Sequence, residues 1–313
     1  MPKPILALLR GRLQTFLPSL ADLPDSVWRR TGALNTWGTN AIEGNTLTHE
    51  EVQRLLLEEE SIAGRPVPDV VETIQHDRAF RGLLDRLDSP ISLVTVLELH
   101  EIVFRGSARH RPGQWRRSNV YIAGARHRPP AWPKVVSRMT QWEASIEGSS
   151  PPWAAAARMH QSFEEIHPFE DGNGRVGRLV LNLWLMQQGW PPLHVTPDDR
   201  SHYLAALGAG NEGDHEKLEA LLQSAMVRSL LDLLDQVGEE KDMLRPLAEL
   251  AENPWCPHAA DYLALRCRQG ALAGIHATST SAPDARKRHR GRPRWLTSEN
   301  ALRHYLDASS RTP

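Results

Sequence analysis

Residues 167–178 have the sequence His-Pro-Phe-Glu-Asp-Gly-Asn-Gly-Arg-Val-Gly-Arg, HPFEDGNGRVGR, and they are the most informative residues for predicting the fold. It connects two segments with the apolar spacing of helices. Pro168 disfavours helix at the residue before it, so the helix predicted over Trp153 to Glu165 must end near His167. A second helix is predicted to begin around Asn173 and to be buried along an apolar stripe. The stretch is therefore predicted to form a tight loop between two helices.

The loop carries residue types that bind phosphate groups. Gly172, Asn173 and Gly174 can take left-handed backbone angles and leave room for close approach. Their N–H groups can then point outward at a helix N-terminus, which attracts anions. Arg175 and Arg178 are three residues apart, so both project from one face of the first helical turn, beside that anion site. We therefore expect phosphate binding where the second helix begins.

Other side chains of the loop indicate catalysis. Asp171 offers a hard oxygen ligand for a magnesium ion that bridges phosphates. His167 is suited to accept a proton from an attacking hydroxyl, because imidazole titrates near neutrality. Phe169 is apolar and is predicted to anchor the loop in the core. The alternative is an ordinary helix–loop–helix turn, but nine ordered residues and Arg178 together favour a phosphate site over that turn.

These residues resemble the signature of the Fic-domain family, HPF-x-(D/E)-GNGR-x-x-R, at every specified position. The resemblance implies an all-α fold, a helical bundle with a short β-hairpin flap, which transfers AMP from ATP to a Ser, Thr or Tyr hydroxyl of a target protein. It implies that His167 is the general base and Asp171 the ligand of Mg²⁺. It also implies that the nucleotide phosphates contact Gly172, Asn173, Gly174, Arg175 and Arg178. Because Asp171 and the GNGR run are intact, AMP transfer is favoured over the phosphate transfer of the Doc branch.

A second resemblance to the family lies upstream of the loop. Pro112 to Arg116 leads into an apolar run, and the segment resembles the family's β-hairpin flap. The resemblance implies that Val120, Tyr121 and Ile122 hold the modified segment of the target by strand pairing. A plain surface hairpin is the alternative.

A third resemblance concerns regulation. Residues 39–45 fit the inhibitory motif of the family, (S/T)-x-x-x-E-(G/N). Thr39 and Glu43 are four residues apart on one helical face, and Gly44 suits the helix end. Glu43 is expected to pair with Arg178 through both carboxylate oxygens, in the space that the γ-phosphate of ATP needs. A surface glutamate that ends a helix is the alternative, and a role of Glu43 in positioning water for the removal of AMP also stays open.

The C-terminal part differs in composition from the rest. After Gly238 the sequence becomes rich in Ala and Arg, and a helix, a Gly turn, two short strands and a final helix capped by Ser298 are predicted. This order resembles the small winged-helix module of MerR-like excisionases. The resemblance implies that the basic segment Arg286 to Arg294 contacts DNA phosphates. A solvated basic tail or a protein-docking module is the alternative.

Three segments are therefore expected: an N-terminal helical region with the inhibitory motif over 1–90, a catalytic core over 91–240, and the winged-helix-like module over 245–313. The formal net charge of -1 implies no attraction of the whole chain to nucleic acid or membrane. The apolar runs are too short for a secretory signal or a membrane span, so we expect a cytoplasmic protein without membrane contact. Apolar helix surface in residues 60–110 would allow a homodimer.

The sequence alone leaves three functions open. The chain is expected to be an AMP transferase that can also modify itself, because neither His167 nor Asp171 is lost. A DNA-binding regulator that uses the Fic fold only as a scaffold is the first alternative. A Fic enzyme with another nucleotide donor is the second, since an anion site recognises phosphates and not the base.

Overall fold

The computed structural model describes residues 3–106, 111–122, 127–146, 152–277 and 294–310. These residues are mostly helical, so the predicted all-α class is confirmed, with a small sheet added. The chain divides into two compact units, one of residues 24–222 and the other of residues 1–23 and 223–313. The three segments expected from the sequence stay a prediction about domain boundaries.

Thirteen α-helices lie in the described part of the chain, and none of them is both long and apolar enough to cross a membrane. Their bounds are α1 (Lys3–Gln14), α2 (Asp25–Ile42), α3 (His49–Leu57), α4 (Val67–Arg81), α5 (Leu93–Val103), α6 (Val135–Ala144), α7 (Pro152–Ile166), α8 (Asn173–Gln187), α9 (Arg200–Gly210), α10 (Glu216–Val237), α11 (Leu247–Ala251), α12 (Ala260–Arg268) and α13 (Glu299–Ser310). The strands are β1 (Arg245–Pro246), β2 (Ile275–Ala277) and β3 (Arg294–Thr297).

Helix α8 is the centre of the unit formed by residues 24–222. Every residue from Arg175 to Met186 is buried, which is the pattern of a helix surrounded by other elements. Helices α2, α4, α5 and α7 pack against it. The loop 167–172 precedes α8 directly, so the first turn of this buried helix is held from several sides.

Polar side chains cap helix ends in the usual way. Thr48 caps α3 in a capping box with Glu51. Asp214 caps α10, because its Oδ1 accepts a hydrogen bond of 3.1 Å from the Glu216 N–H. A 3₁₀ turn, Trp132–Lys134, leads directly into helix α6.

The predicted flap is not a paired hairpin in the described residues. No strand is assigned to residues 118–122, and residues 123–126, where the hairpin would turn, lie outside the described part. Instead, two hydrogen bonds join this segment to the chain that follows. The Arg116 guanidinium donates to the Pro130 carbonyl (2.6 Å), and the Trp132 N–H donates to Asn119 Oδ1 (3.0 Å).

The unit formed by residues 1–23 and 223–313 contains the sheet. Its order is β1-β3-β2, and both pairs are antiparallel. Helix α12, a left-handed Gly270, strands β2 and β3, and α13 follow one another in the predicted order, and Ser298 caps α13. The winged-helix assignment itself stays a prediction, and most of the basic segment (286–293) lies outside the described residues. The core of this unit consists of Leu247, Leu250, Leu263, Cys267, Leu272, Leu302 and Tyr305.

Candidate active site

Two left-handed residues bracket the loop between α7 and α8. His167 has a φ of 52°, unusual for a residue with a side chain, and its N–H donates to the Phe163 carbonyl at the end of α7. Gly172 has a φ of 81° and precedes α8. A Cβ at Gly172 would overlap the Phe104 ring. Glycine is therefore required both for its backbone angle and for the space that it leaves. Of the three residues predicted to allow left-handed angles, only Gly172 uses them; Asn173 and Gly174 begin α8 with helical angles.

Phe169 anchors the loop in the core, as predicted. Its ring is fully buried and stacks on His100, with ring centroids 3.8 Å apart, and on Trp115 at 5.1 Å. The Asn173 side chain closes the loop, because Oδ1 accepts from the Phe169 N–H (2.8 Å) and Nδ2 donates to its carbonyl (3.0 Å). Asn173 therefore supports the loop through its side chain, while the predicted phosphate contact falls to its backbone.

Two residues that the motif does not include hold the loop backbone. Arg116 is buried and donates from Nε to the His167 carbonyl (2.8 Å), and its backbone N–H donates to the Pro168 carbonyl (3.0 Å). His100 accepts from the Gly113 N–H at Nδ1 (3.0 Å), so its Nε2–H faces the Asp171 carbonyl at 3.2 Å. Sequence reasoning missed both roles, since these contacts join segments 51 and 71 residues apart.

Arg178 makes the contact with the inhibitory motif that the sequence predicts. Its Nη2 donates to Glu43 Oε1 at 2.6 Å, and its Nε donates to the Thr39 hydroxyl. In the described structure the ion pair uses one carboxylate oxygen, so the expected bidentate pair is wrong; Thr39 occupies the second edge of the guanidinium. Tyr203 lies on the third side, with its hydroxyl 3.5 Å from Nη1.

The Glu43 carboxylate lies against the first turn of α8. A Cβ at Gly174 would overlap Glu43 Oε1 and would crowd the Arg178 guanidinium. Glu43 is the C-cap of α2, and the chain leaves α2 through Gly44 with a φ of 97°, as the motif predicts. Burial alone would raise the pKa of Glu43, but Arg178 lowers it overall, so this carboxyl is ionised at neutral pH.

Arg175 and Arg178 have separate partners, although they are only three residues apart on α8. The Arg175 guanidinium is 3.2 Å from Glu72 and 3.3 Å from Asp171, and it stacks over the Phe104 ring at 4.8 Å. Asp171 accepts from the Gly172 N–H (2.6 Å) and has a half-exposed side chain. One half-exposed carboxylate fits Mg²⁺, which is usually bound by one or two carboxylates together with substrate phosphates. Among the described residues, no group of three or more His, Cys, Asp or Glu forms a metal cage.

His167 has the protonation state that a general base needs. Burial lowers the pKa of His167, with a smaller opposing effect of the Glu164 carbonyl, so the imidazole is neutral at pH 7. Nδ1 is 3.3 Å from the Glu164 carbonyl oxygen, which can only accept a hydrogen bond. Nδ1 therefore carries the hydrogen, and Nε2 keeps the lone pair that can accept a proton.

A buried polar cluster, formed by His160, Glu164 and Tyr203, lies behind Arg178. His160 Nε2 is 2.7 Å from the Tyr203 hydroxyl and 3.9 Å from Glu164 Oε1. Burial lowers the pKa of His160 to about 3 and raises that of Glu164 to about 8. Little in the sequence indicates this cluster beyond two polar residues, four apart, on an otherwise apolar face of α7.

The residues predicted for target binding lie at the surface of the same unit. Tyr121 is 76% exposed, and Val120 and Ile122 are both partly buried. The Arg128 guanidinium lies 5.9 Å from the centre of the Tyr121 ring. Strand pairing with a target stays a prediction, since the residues that would complete a hairpin are outside the described part.

The fold and the site together define a class of protein: a helical domain in which a histidine loop leads into the N-terminus of a buried helix with arginines at its first turns. Residues 90–185 match the sequence model of the Fic/DOC family. This part of the chain, which holds the loop and most of α8, is therefore similar to Fic/DOC domains.

Known proteins with similar sequence or structure agree with this assignment. The chain is 35% identical over 179 residues, 55% of its length, to a protein named protein adenylyltransferase Fic from Drosophila virilis, and the match covers 36% of that protein. The chain thus spans about a third of the length of the curated relatives it matches. Fic-1 (residues 134–508) of C. elegans has a TM-score of 0.63 at 26% identity, covering 75% of this chain and 72% of that one.

A bacterial structure extends the likeness of the fold. A Fic family protein from Desulfovibrio desulfuricans G20 has a TM-score of 0.61, with 95% of this chain and 96% of that chain covered. At 19% identity this likeness concerns the fold alone.

Proposed function

We propose that the chain is a protein adenylyltransferase, which moves AMP from ATP to a hydroxyl group of a protein. The observation that carries the proposal is the geometry at the start of α8. The first turn of α8, Arg178 and a neutral His167 lie on one short loop–helix segment. Such a helix N-terminus binds phosphates, and a neutral imidazole beside it can activate a nucleophile.

In the proposed reaction, the acceptor hydroxyl gives its proton to His167 Nε2 while its oxygen attacks the α-phosphorus of ATP. The bond between the α-phosphorus and the bridging oxygen breaks, and pyrophosphate leaves. The Arg116 and Glu164 contacts hold the imidazole in place, since they fix the backbone and Nδ1 of His167. The N–H groups at Gly172 to Gly174 and the guanidinium of Arg178 stabilise the charge of the phosphates. A Mg²⁺ ion at Asp171 would supply charge neutralisation for the leaving pyrophosphate.

Glu43 acts as the brake in this proposal. Its carboxylate lies where a Cβ of Gly174 would be, so it takes the position and the charge partner that the γ-phosphate needs. ATP would then bind in a pose unsuited to in-line attack. Removing the carboxylate exposes the first turn of α8 and frees Arg178 for phosphate.

The test is the intact mass of purified Glu43→Gly protein after incubation with ATP and Mg²⁺, beside Glu43→Gly/His167→Ala and the unchanged protein. We expect the Glu43→Gly protein to gain AMP by self-modification, and the other two to gain much less or none. Equal AMP transfer by the unchanged protein and Glu43→Gly would reject the brake. Undiminished transfer without His167 would reject His167 as the base.

The same assay distinguishes the remaining alternatives for the chemistry. Modification with another nucleotide, and none with ATP, would assign a different donor. A target protein that carries AMP and loses it on incubation with unchanged protein, but not with Glu43→Gly, would assign a second role to Glu43 in removing AMP.

DNA binding by the C-terminal unit is a second proposal. It is supported by the antiparallel pair of β2 and β3, because the segment that joins these strands contains the basic residues 286–292. Clustered Arg and Lys bind DNA phosphates in a salt-dependent way. We expect the full chain to bind duplex DNA at low salt, measured by fluorescence anisotropy, and to lose binding when the basic residues of 286–294 are replaced by Gln. No binding by the unchanged chain at low salt would remove the proposal.

A homodimer is proposed from the surface of α4. Val67, Val71 and Ile74 are exposed at a spacing that puts them on one helical face. Light scattering after size exclusion checks this: a dimer that becomes a monomer in Val71→Glu supports it, and a monomer at high concentration rejects it.

A further inference from the structure

Glu164 is a buried acid that the proposed chemistry does not use through its side chain. It lies on α7 and is 8% exposed, and its Oε1 has no hydrogen-bond partner among the described residues. His160 Nε2 lies 3.9 Å from this oxygen and is already hydrogen-bonded to the Tyr203 hydroxyl. An ionised carboxylate in such a place is costly, whereas a neutral carboxyl group is much less so. This environment favours a protonated Glu164.

The carboxyl group of Glu164 lies beside the phosphate-binding helix. A Cβ at Gly177 would overlap Glu164 Oε1, just as a Cβ at Gly174 would overlap Glu43 Oε1. The two acids thus reach α8 at glycines three residues apart, one helical turn. Arg178 interacts electrostatically with both, and it is ion-paired only with Glu43 among the described residues.

We propose that Glu164 is a positioning residue. Its carboxyl group stays protonated and so leaves the positive charge of Arg178 available to the group that is bound over Gly174. This inference rests on the proposed adenylyl transfer, because it takes the nucleotide phosphates to be that group in the active state. In the resting state the group is the Glu43 carboxylate. Ionisation of Glu164 places a second negative charge behind Arg178 and weakens the attraction for phosphate.

The neighbouring groups make Glu164 the member of the cluster that changes charge near neutral pH. Arg178 of α8 and Glu43 at the end of α2 are the charged groups that act on it. Burial lowers the pKa of His160 of α7 to about 3, and burial raises that of Tyr203 of α9 well above its usual value. Both are therefore neutral from pH 6 to 9, while burial raises the pKa of Glu164 to about 8.

The first experiment reads the proton directly and needs no activity. Carboxyl ¹³C NMR of the full chain labelled at glutamate Cδ is recorded from pH 5 to 9.5, and the Glu164 signal is assigned by its loss in Glu164→Gln. We expect one signal that moves only above pH 7 and is absent in this variant. A Glu164 signal that titrates between pH 4 and 5 would overturn the proposal.

The second experiment measures the effect on phosphate binding. The dissociation constant of ATP is measured by calorimetry from pH 7 to 9.5 in three proteins: Glu43→Gly, Glu43→Gly/Glu164→Gln and Glu43→Gly/Glu165→Gln. The γ-phosphate of ATP titrates in the same way for all three. In Glu43→Gly we expect the affinity for ATP to fall by up to about tenfold per pH unit above the pKa of Glu164, because binding favours the protonated form of this carboxyl group. The Glu164→Gln protein, with a neutral amide of similar shape, should keep a flat profile.

Glu165→Gln is the matched control, because it removes an exposed carboxyl group on the same helix and should follow the pH profile of Glu43→Gly. Identical profiles for all three proteins would overturn the proposal even if every variant is folded, which thermal unfolding checks. If no protein transfers AMP but ATP binds with the expected pH dependence, the proposed function fails and the role of Glu164 at Arg178 stands.

Discussion

Gly172 shows how much one residue contributes to the loop, since its φ is 81° and the Phe104 ring occupies the place of a Cβ. We expect Gly172→Ala to lower the free energy of unfolding by at least about 1–2 kcal/mol, the cost of a left-handed residue with a side chain. The overlap with Phe104 adds to this cost. Urea unfolding followed by circular dichroism measures the change.

Gly208→Ala is the matched control for that substitution. Gly208 lies within α9 with helical angles, and a Cβ there has nothing within 4 Å. Alanine should therefore raise the free energy of unfolding by about 0.5–1 kcal/mol, through the lower entropy of the unfolded chain. A destabilised Gly208→Ala, or an unchanged Gly172→Ala, would contradict the assignment of the two sites.

The raised pKa of Glu164 has a consequence for stability that needs no enzyme assay. Burial raises the folded-state pKa to about 8, so between its ordinary pKa and pH 8 the folded protein binds more protons than the unfolded chain. The contribution of Glu164 to stability is therefore largest at acidic pH and falls as pH rises to about 8. We expect Glu164→Gln to gain stability relative to the unchanged protein from pH 5 to 8, measured by thermal unfolding. A pH-independent difference would contradict a buried proton.

At the residue scale, the sequence predicts the contacts inside the signature and misses those that support it. The pairing of Glu43 with Arg178 and the burial of Phe169 are found as expected, because each follows from a motif with fixed spacing. His100, Arg116 and Tyr203 were not predicted. Each contacts the loop or Arg178 from a different segment, and no spacing along the chain records such a contact.

At the scale of elements, α2 is held to Arg178 by two side chains, and the Thr39 hydroxyl contact offers a graded test of the brake. Thr39→Val keeps the shape of the residue and removes one hydrogen bond to a charged group, a loss of about 1.5–3 kcal/mol. Since α2 then holds Glu43 over Gly174 less firmly, we expect AMP transfer above that of the unchanged protein and below that of Glu43→Gly. The rate of self-modification at saturating ATP is the measurement.

Thr31→Val is the control on the same helix. Thr31 is buried, and its hydroxyl has no partner in the described part of the chain, so valine should leave the transfer rate unchanged. The hydroxyl of Thr39 does not support the brake if Thr39→Val transfers AMP no faster than the unchanged protein. The same conclusion follows if Thr31→Val transfers AMP as fast as Thr39→Val.

The helices were the most predictable elements, because apolar spacing and caps are local. Both ends of α7 and the start of α8 lie within two residues of their predicted positions. The segment 118–122 was less predictable: strand pairing depends on a partner, and the alternation that suggests a strand also suits an extended surface segment held by Arg116 and Asn119.

At the scale of the whole molecule, the chain's two ends meet in one compact unit, which no sequence pattern indicated. Asp242 is buried to 1% and accepts hydrogen bonds from Arg12 of α1, 230 residues away, and from Asn300 of α13. Burial alone would raise the pKa of Asp242, but these hydrogen bonds lower it overall. Its contribution to stability is therefore present above the ordinary pKa of aspartate and is lost as pH falls through the lowered value.

We expect Arg12→Met to lower the free energy of unfolding at pH 7 by about 1.5–3 kcal/mol, since it leaves a buried carboxylate with fewer donors. Glu239→Gln is the control: Glu239 also pairs with Arg12, but its side chain is 70% exposed, so the loss should stay below about 1 kcal/mol. Guanidinium unfolding of the full chain at pH 7 and pH 3 measures both. The Arg12→Met difference should begin to shrink at pH 3, below the ordinary pKa of aspartate, because the unfolded chain then binds a proton that the folded protein, with its lowered Asp242 pKa, resists. The two substitutions could have equal effects, or the Arg12→Met effect could be independent of pH. Either result would mean that the Asp242 carboxylate does not stabilise the protein by linking α1 to α13.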